Sequence, residues 1–240
     1  MWHAPDWPLP AGVRAVYTDR VGGESLPPFD GFNLGAHVGD ADAAVAANRQ
    51  RLMSGLGLQR PVQWLEQVHG TEVVTLPAAV PVPVADAACT TKAGVACAVM
   101  TADCLPVLLC NEDGTQVAAA HAGWRGLCDG VLESVLAEFQ CPRQQIRAWI
   151  GPAIGPQAFE VGDEVRQRFI RVDAQAAVAF EARGERYLAN LPLLARQRLS
   201  RLGVNRVTLS DLCTYQHPER FFSYRRDGRC GRQASLIWLD

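Results

Sequence analysis

Two short stretches concentrate the residue types that do chemistry. Thr101-Ala102-Asp103-Cys104 runs directly into the apolar Leu105-Pro106-Val107-Leu108-Leu109-Cys110. A little further on, Ala119-Ala120-His121 is followed by Ala122-Gly123-Trp124-Arg125-Gly126. His69 closes another apolar run, residues 62–68. A thiolate and two imidazoles suit zinc, and three such donors with a vacant fourth position are how a catalytic ion is held; structural zinc is closed by four protein ligands. Without metal, Cys104 and His121 also suit a thiol nucleophile with its base. Gly123 to Gly126 add a second chemistry. Glycines at a strand-to-helix turn leave backbone N–H groups open to an anion, and Arg125 brings a fork shaped for phosphate.

These side chains need elements that bring them together. Residues 14–18, 62–68, 71–76, 88–92, 95–101, 105–110, 116–120, 147–150, 204–209 and 234–239 are short apolar runs, many bounded by turn formers, and are predicted strands. Helices are predicted over 43–56, 126–139, 163–171 and 191–202, the first two with apolar stripes at Val45, Leu52, Met53 and Leu56 and at Leu127, Val131, Val135 and Phe139. If 95–101, 105–110 and 116–120 form an up-down-up meander, the third strand runs parallel to the first. His121 then returns to the sheet edge that holds Asp103 and Cys104, and His69 can share that edge. Plainer readings stand beside this one: a cysteine in an apolar run packs as a small hydrophobe, a histidine near a strand end satisfies a hydrogen bond, and strand-to-helix turns often carry glycine.

Composition narrows the function classes. The chain has 240 residues, 48% hydrophobic and 20% charged, with a net charge of -2. That suits one soluble domain over 1–240 and gives no electrostatic footprint for nucleic acid or an anionic membrane. No basic segment leads into an apolar run at the N-terminus, and no stretch reaches membrane-span length. The eight cysteines include no CxxC pair and sit mostly in apolar runs, so free thiols in a reducing cytoplasm are expected. The predicted architecture is α/β, with mixed β-sheets flanked by helices.

The order of the longer motifs resembles the YfiH family, also called the laccase-domain or multicopper polyphenol oxidase family. The likeness runs from Thr18-Asp19-Arg20-Val21-Gly22-Gly23 through Phe32-Asn33-Leu34-Gly35-Ala36-His37-Val38-Gly39-Asp40, Gln67-Val68-His69-Gly70 and the two stretches above. It continues through Ile150-Gly151-Pro152-Ala153-Ile154 and Asp211-Leu212-Cys213-Thr214 to the C-terminal SYRRDG and GRQAS pieces. The resemblance implies a zinc ion on His69, Cys104 and His121, and a fold related to a cysteine-hydrolase class. It implies phosphorolysis of adenosine, inosine and S-methyl-5'-thioadenosine to free base and (methylthio)ribose 1-phosphate, with adenosine deaminase activity. The partners implied are a purine nucleoside and phosphate, for a monomer or weak homo-oligomer. Asp19 departs from the Thr or Ser that usually precedes the arginine of the opening motif.

The residues can be weighed against these activities. A multicopper oxidase needs many imidazoles, whereas this chain has five histidines and no H-x-H pair. Cu2+ can still compete with Zn2+ for a Cys/His site, so a copper polyphenol oxidase stays an alternative, as does a cysteine hydrolase or amidase using Cys104 and His121. Deamination suits zinc, which lowers the pKa of water for attack at C6 of adenine. Asp103 is the candidate proton shuttle, or else simply a turn residue. For phosphorolysis Arg125 is the preferred phosphate holder, with Arg20, Arg225, Arg226, Arg229 and Arg232 in competition. Asn33 and Gln67 can donate and accept toward a base or ribose. Phe221, Phe222 and Tyr224 can stack a purine or fill the core.

Overall fold

The computed structural model describes all residues, Met1–Asp240. The chain runs β1 (Trp2–His3), β2 (Val13–Thr18), α1 (Asp42–Leu56), β3 (Val73–Thr75), β4 (Ala87–Thr90), β5 (Ala96–Thr101), β6 (Leu105–Asn111) and β7 (Val117–Ala122). It continues with α2 (Trp124–Asp129), α3 (Val131–Ala137), β8 (Ile146–Ile150), β9 (Glu160–Val161), α4 (Asp163–Val172), β10 (Phe180–Arg183) and β11 (Arg186–Ala189). The last elements are α5 (Leu191–Arg201), β12 (Arg206–Leu209), α6 (Tyr224–Asp227) and β13 (Gln233–Leu239). No helix is long and apolar enough to cross a membrane, and all eight cysteines are free thiols.

Alternation along the central strands builds a four-layered stack. The six-stranded sheet has the order β12-β8-β6-β7-β4-β3 and the four-stranded sheet the order β1-β2-β13-β5. Leu105, Val107 and Leu109 of β6 pack with Leu127, Val131 and Leu132 and with Leu194 and Leu199 of α5. Leu108 and Cys110, pointing the other way, meet Val99, Cys97 and Ile237 of the four-stranded sheet. The far face of that sheet, through Ala98, Met100 and Leu236, packs on Leu52 of α1 and on Phe32, Leu34 and Trp64. Both faces of β6 and β7 are therefore covered, which is why these strands read as unbroken apolar runs. A small third sheet, β10-β11-β9, stands apart from the two main ones.

The mixed α/β architecture matches the expectation, but four local readings change. The meander does not form: β5 pairs with β13, and only β6 and β7 make a hairpin. The chain crosses between sheets at residues 102–104, so what reads as a turn is a step from one layer to the next. Residues 62–68 are irregular apart from one bridge, Glu66 to Val84. Val62 and Trp64 plug one core and Leu65 the other, so the segment is apolar because it seals two layers. The helix expected over 126–139 starts earlier and breaks at Gly130, whose φ of 112° is left-handed backbone. Finally, β1 and β9 to β11 are too short or too polar for the apolar pattern to mark. Asp19, the departure from the usual motif, is buried and receives the Met1 ammonium at 2.6 Å and faces the His3 ring at 2.5 Å.

Candidate metal centre

The β6–β7 hairpin alone brings the thiol to one imidazole. Its register sets Leu105 opposite Ala122 and Pro106 opposite His121, so Cys104, one residue before β6, lands beside the His121 ring. His69 reaches the same place from an irregular loop, with φ of 61°. Its Nε2 lies 3.7 Å from the Cys104 Sγ. The two imidazoles sit edge to face, their centroids 4.8 Å apart at 73°. The three donor atoms all lie within 4.8 Å of one another, and no other cluster of potential metal ligands occurs in the protein. A tetrahedral ion with bonds of about 2.3 Å to sulfur and about 2.1 Å to nitrogen sets those atoms about 3.6 Å apart. The thiol–imidazole spacing fits that shell.

Charge prepares the donors. Burial pushes the Cys104 thiol up, but the charge and hydrogen bond of His121 and the hydrogen bond of His69 outweigh it and hold the thiol at about 6. Burial pulls His121 down, while the Cys104 thiolate and Asp86 raise it to about 9. Asp86 is the organising residue that sequence reasoning missed. Its carboxylate has no solvent exposure and lies 2.7 Å from the His121 Nδ1. It also accepts the backbone N–H groups of Val68, His69 and Gly70 at 3.1, 2.9 and 2.6 Å, and its own carbonyl accepts the His121 N–H. One side chain thus fixes both histidines and leaves the His121 Nε2 free for an ion. The only sequence signal was a carboxylate inside the apolar Val84-Ala85-Asp86-Ala87-Ala88, where a buried charge demands partners.

The two glycines after His121 serve the centre in an unexpected way. A Cβ on Gly123 would stand 2.9 Å from the His69 Cδ2 and 3.1 Å from the Cys104 Sγ; one on Gly126 would meet the Gly70 carbonyl at 2.7 Å. Both glycines admit the His69 loop, so the close approach they allow includes one of protein to protein. Gly123→Ala is accordingly expected to displace His69 or Cys104 and lower bound metal at least tenfold at limiting concentration, read by metal analysis after gel filtration. Full retention would show that the His69 loop yields without cost.

A cavity of about 510 Å³ opens over the triad. Its walls carry Trp124, Phe159 and Tyr224, and the guanidinium-bearing Arg125, Arg225 and Arg232. Arg125 belongs to the first turn of α2, and its guanidinium lies 4.7 Å over the Trp124 ring. The other arginines divide. Arg20 binds the Asp30 and Pro218 carbonyls, Arg226 those of Thr214, Tyr215 and Phe221, and Arg229 that of Gly39; none lines the cavity. Phe221 and Phe222 are fully buried, which leaves Tyr224, 61% exposed, as the free aromatic of that segment.

The expected polar residues are spent on structure. Asn33 is fully buried away from the cavity, its Oδ1 taking the N–H groups of Gly35 and Arg232. Gln67 lines the cavity, yet its amide clamps the Met100 backbone at both ends, each at 2.8 Å. Asp103, beside the thiol at φ 86°, accepts the Thr214 hydroxyl and the Arg225 N–H, both at 2.6 Å. These bonds tie the crossing between sheets to two distant segments.

Known proteins resemble this chain over nearly its whole length. The family model described as multi-copper polyphenol oxidoreductase laccase matches residues 14–240. The chain is 55% identical over 239 residues to the purine nucleoside phosphorylase YfiH of Escherichia coli strain K12, covering 98% of this chain and 97% of that one. It is 52% identical over 242 residues to a purine nucleoside phosphorylase of Pseudomonas aeruginosa, covering 99% and 98%. Among solved structures, a Neisseria meningitidis protein superposes with a TM-score of 0.95 at 48% identity, over 100% of this chain and 99% of that one.

Proposed function

We propose, on the premise that this chain belongs to the multi-copper polyphenol oxidoreductase laccase family, that it is a metal-dependent purine nucleoside phosphorylase. The observation that carries the reading is a three-donor Cys/His set opening into a cavity with aromatic and cationic walls. The substrates proposed are adenosine, inosine and S-methyl-5'-thioadenosine, with deamination of adenosine as a second activity. His69, Cys104 and His121 would hold zinc, which supplies Lewis acidity at an open position. The aromatic faces of Trp124, Phe159 and Tyr224 suit a purine ring. Arg125, Arg225 and Arg232 suit phosphate, each with donors in a fixed fork. Oxidation by several coppers finds no support in the donor set, because only two of the five histidines stand in the single candidate centre.

One observation favours a second reading. Cys104, His121 and Asp86 stand in the order nucleophile, base and orienting carboxylate, as a cysteine hydrolase or amidase requires. Phosphate separates the two. Base release from inosine by the purified protein is expected to rise with added phosphate, to yield ribose 1-phosphate and to stop after dialysis against a chelator. Release of free ribose at the same rate without phosphate, or full activity after chelation, would favour the hydrolase.

A further inference from the structure

The motif Asn33-Leu34-Gly35-Ala36-His37-Val38-Gly39-Asp40 has so far had no chemical role. The structure makes it a braced turn. Ala36–Val38 form one 3-10 turn ending at Gly39, whose φ is 87°. Asn33 ties Gly35 and Arg232 together and donates to Asp40 at 2.8 Å. The Arg229 guanidinium holds the Gly39 carbonyl at 3.1 Å. Gly35 lies so close to Arg232 that a Cβ there would be 2.8 Å from the Arg232 Cγ. All this bracing presents one side chain, His37, to the cavity that holds the three donors.

Elimination gives that side chain its task. A purine that leaves its ribose must gain a proton, and phosphate must lose one. On the cavity walls, Gln67 and Asp103 are fully engaged with backbone and Thr214. His69, Cys104 and His121 form the metal set. Arginines donate hydrogen bonds but do not exchange protons at neutral pH. The His37 ring makes no hydrogen bond to protein, and an imidazole both accepts and donates, which the remaining hydroxyls of Thr101 and Tyr224 do less readily near neutrality.

Resting on the phosphorylase reading, we infer that His37 is the catalytic residue that protonates the departing purine at N7. The bond from C1' to N9 breaks and its electron pair goes to the base. A bond from C1' to a phosphate oxygen forms. The proton of hydrogen phosphate passes to one imidazole nitrogen of His37 while the other nitrogen gives its proton to N7. His37 ends neutral with its tautomer exchanged. The ring keeps solvent exposure at the cavity mouth, yet partial desolvation, then the charges of Arg232, Arg49 and His121, lower its pKa from the usual histidine value and favour the neutral, relaying form.

A pair of substrates tests the role. In 7-methylinosine, N7 already carries a methyl group and positive charge, so its base leaves without a proton. With phosphate present, His37→Ala is expected to slow inosine cleavage about 100-fold or more. The rate with 7-methylinosine should change less than threefold, and bound metal should not change. His37→Gln keeps the size and a donor but cannot relay; it should discriminate in the same way and carries the comparison if the alanine variant folds poorly. Equal losses on both nucleosides, or none on inosine, would overturn the assignment while leaving phosphorolysis standing. Wild-type protein that cleaves neither nucleoside in phosphate removes the parent reading and this role with it.

Discussion

Cys104→Ala is expected to abolish stoichiometric metal binding and to lower kcat/KM for nucleoside cleavage by at least 1000-fold. The thiolate is the one anionic donor of the set, and the ring nitrogens of His69 and His121 alone leave two neutral ligands. The variant should stay folded, because Cys104 is only partly buried and packs in none of the apolar cores. Its circular dichroism and melting curve, compared with the metal-free wild type, check that. A second readout concerns the thiol itself. With a pKa of about 6 in the metal-free protein, about nine-tenths of Cys104 is thiolate at pH 7, against a few per cent for an ordinary cysteine. Alkylation by iodoacetamide should therefore rise between pH 5 and 7 and then level off, where an ordinary thiol keeps accelerating to pH 9. Saturating zinc should suppress it. A rate that climbs steadily to pH 9 would mean that His121 does not hold the thiolate.

Asp86→Asn should weaken metal binding 10- to 100-fold and also cost stability. The carboxylate receives the His121 ring and three backbone N–H groups. An asparagine of the same size offers one accepting oxygen and turns two N–H groups toward donors. Hydrogen bonds to a charged acceptor contribute roughly 1.5–3 kcal/mol each, and outer-shell carboxylates support metal affinity by the factor given. Asp86→Ala should destabilise the protein by about 3–5 kcal/mol, the cost of removing one member of a buried ionic pair. Competition with a chromophoric chelator measures the first effect and thermal melting of the metal-free protein the second. Unchanged chelator competition in the asparagine variant would reduce Asp86 to a structural role.

The contrast between Cys104 and Asp86 shows what local sequence carries. Cys104 and His121 meet through a hairpin with a short loop, so apolar runs and turn residues sufficed to place them together. Asp86 acts on residues 16 to 35 positions away, and no local pattern encodes such partners. The same limit hid the partner of β5. Residues 95–101 fit an adjacent hairpin as well as they fit β13, because both neighbours are apolar strands of similar length. Side-chain type also says little about commitment. Asn33, Gln67 and Asp103 carry the groups that bind nucleosides, yet unpaired backbone groups nearby claim them first. His37 shows the converse. Its motif was plain, but its availability follows only from what its neighbours are bonded to.

The sheet order bears on how the protein is made. β5 delivers the chain to Cys104, and its one strand partner is β13, which also supplies the second neighbour of β2. Both strands wait for residues 233–239, which follow His69, Cys104 and His121 by more than a hundred positions. A polypeptide lacking those residues has the β6–β7 hairpin and Asp86 that bring thiol and imidazoles together, but not the strand that holds β5, and with it the approach to Cys104, in the second sheet.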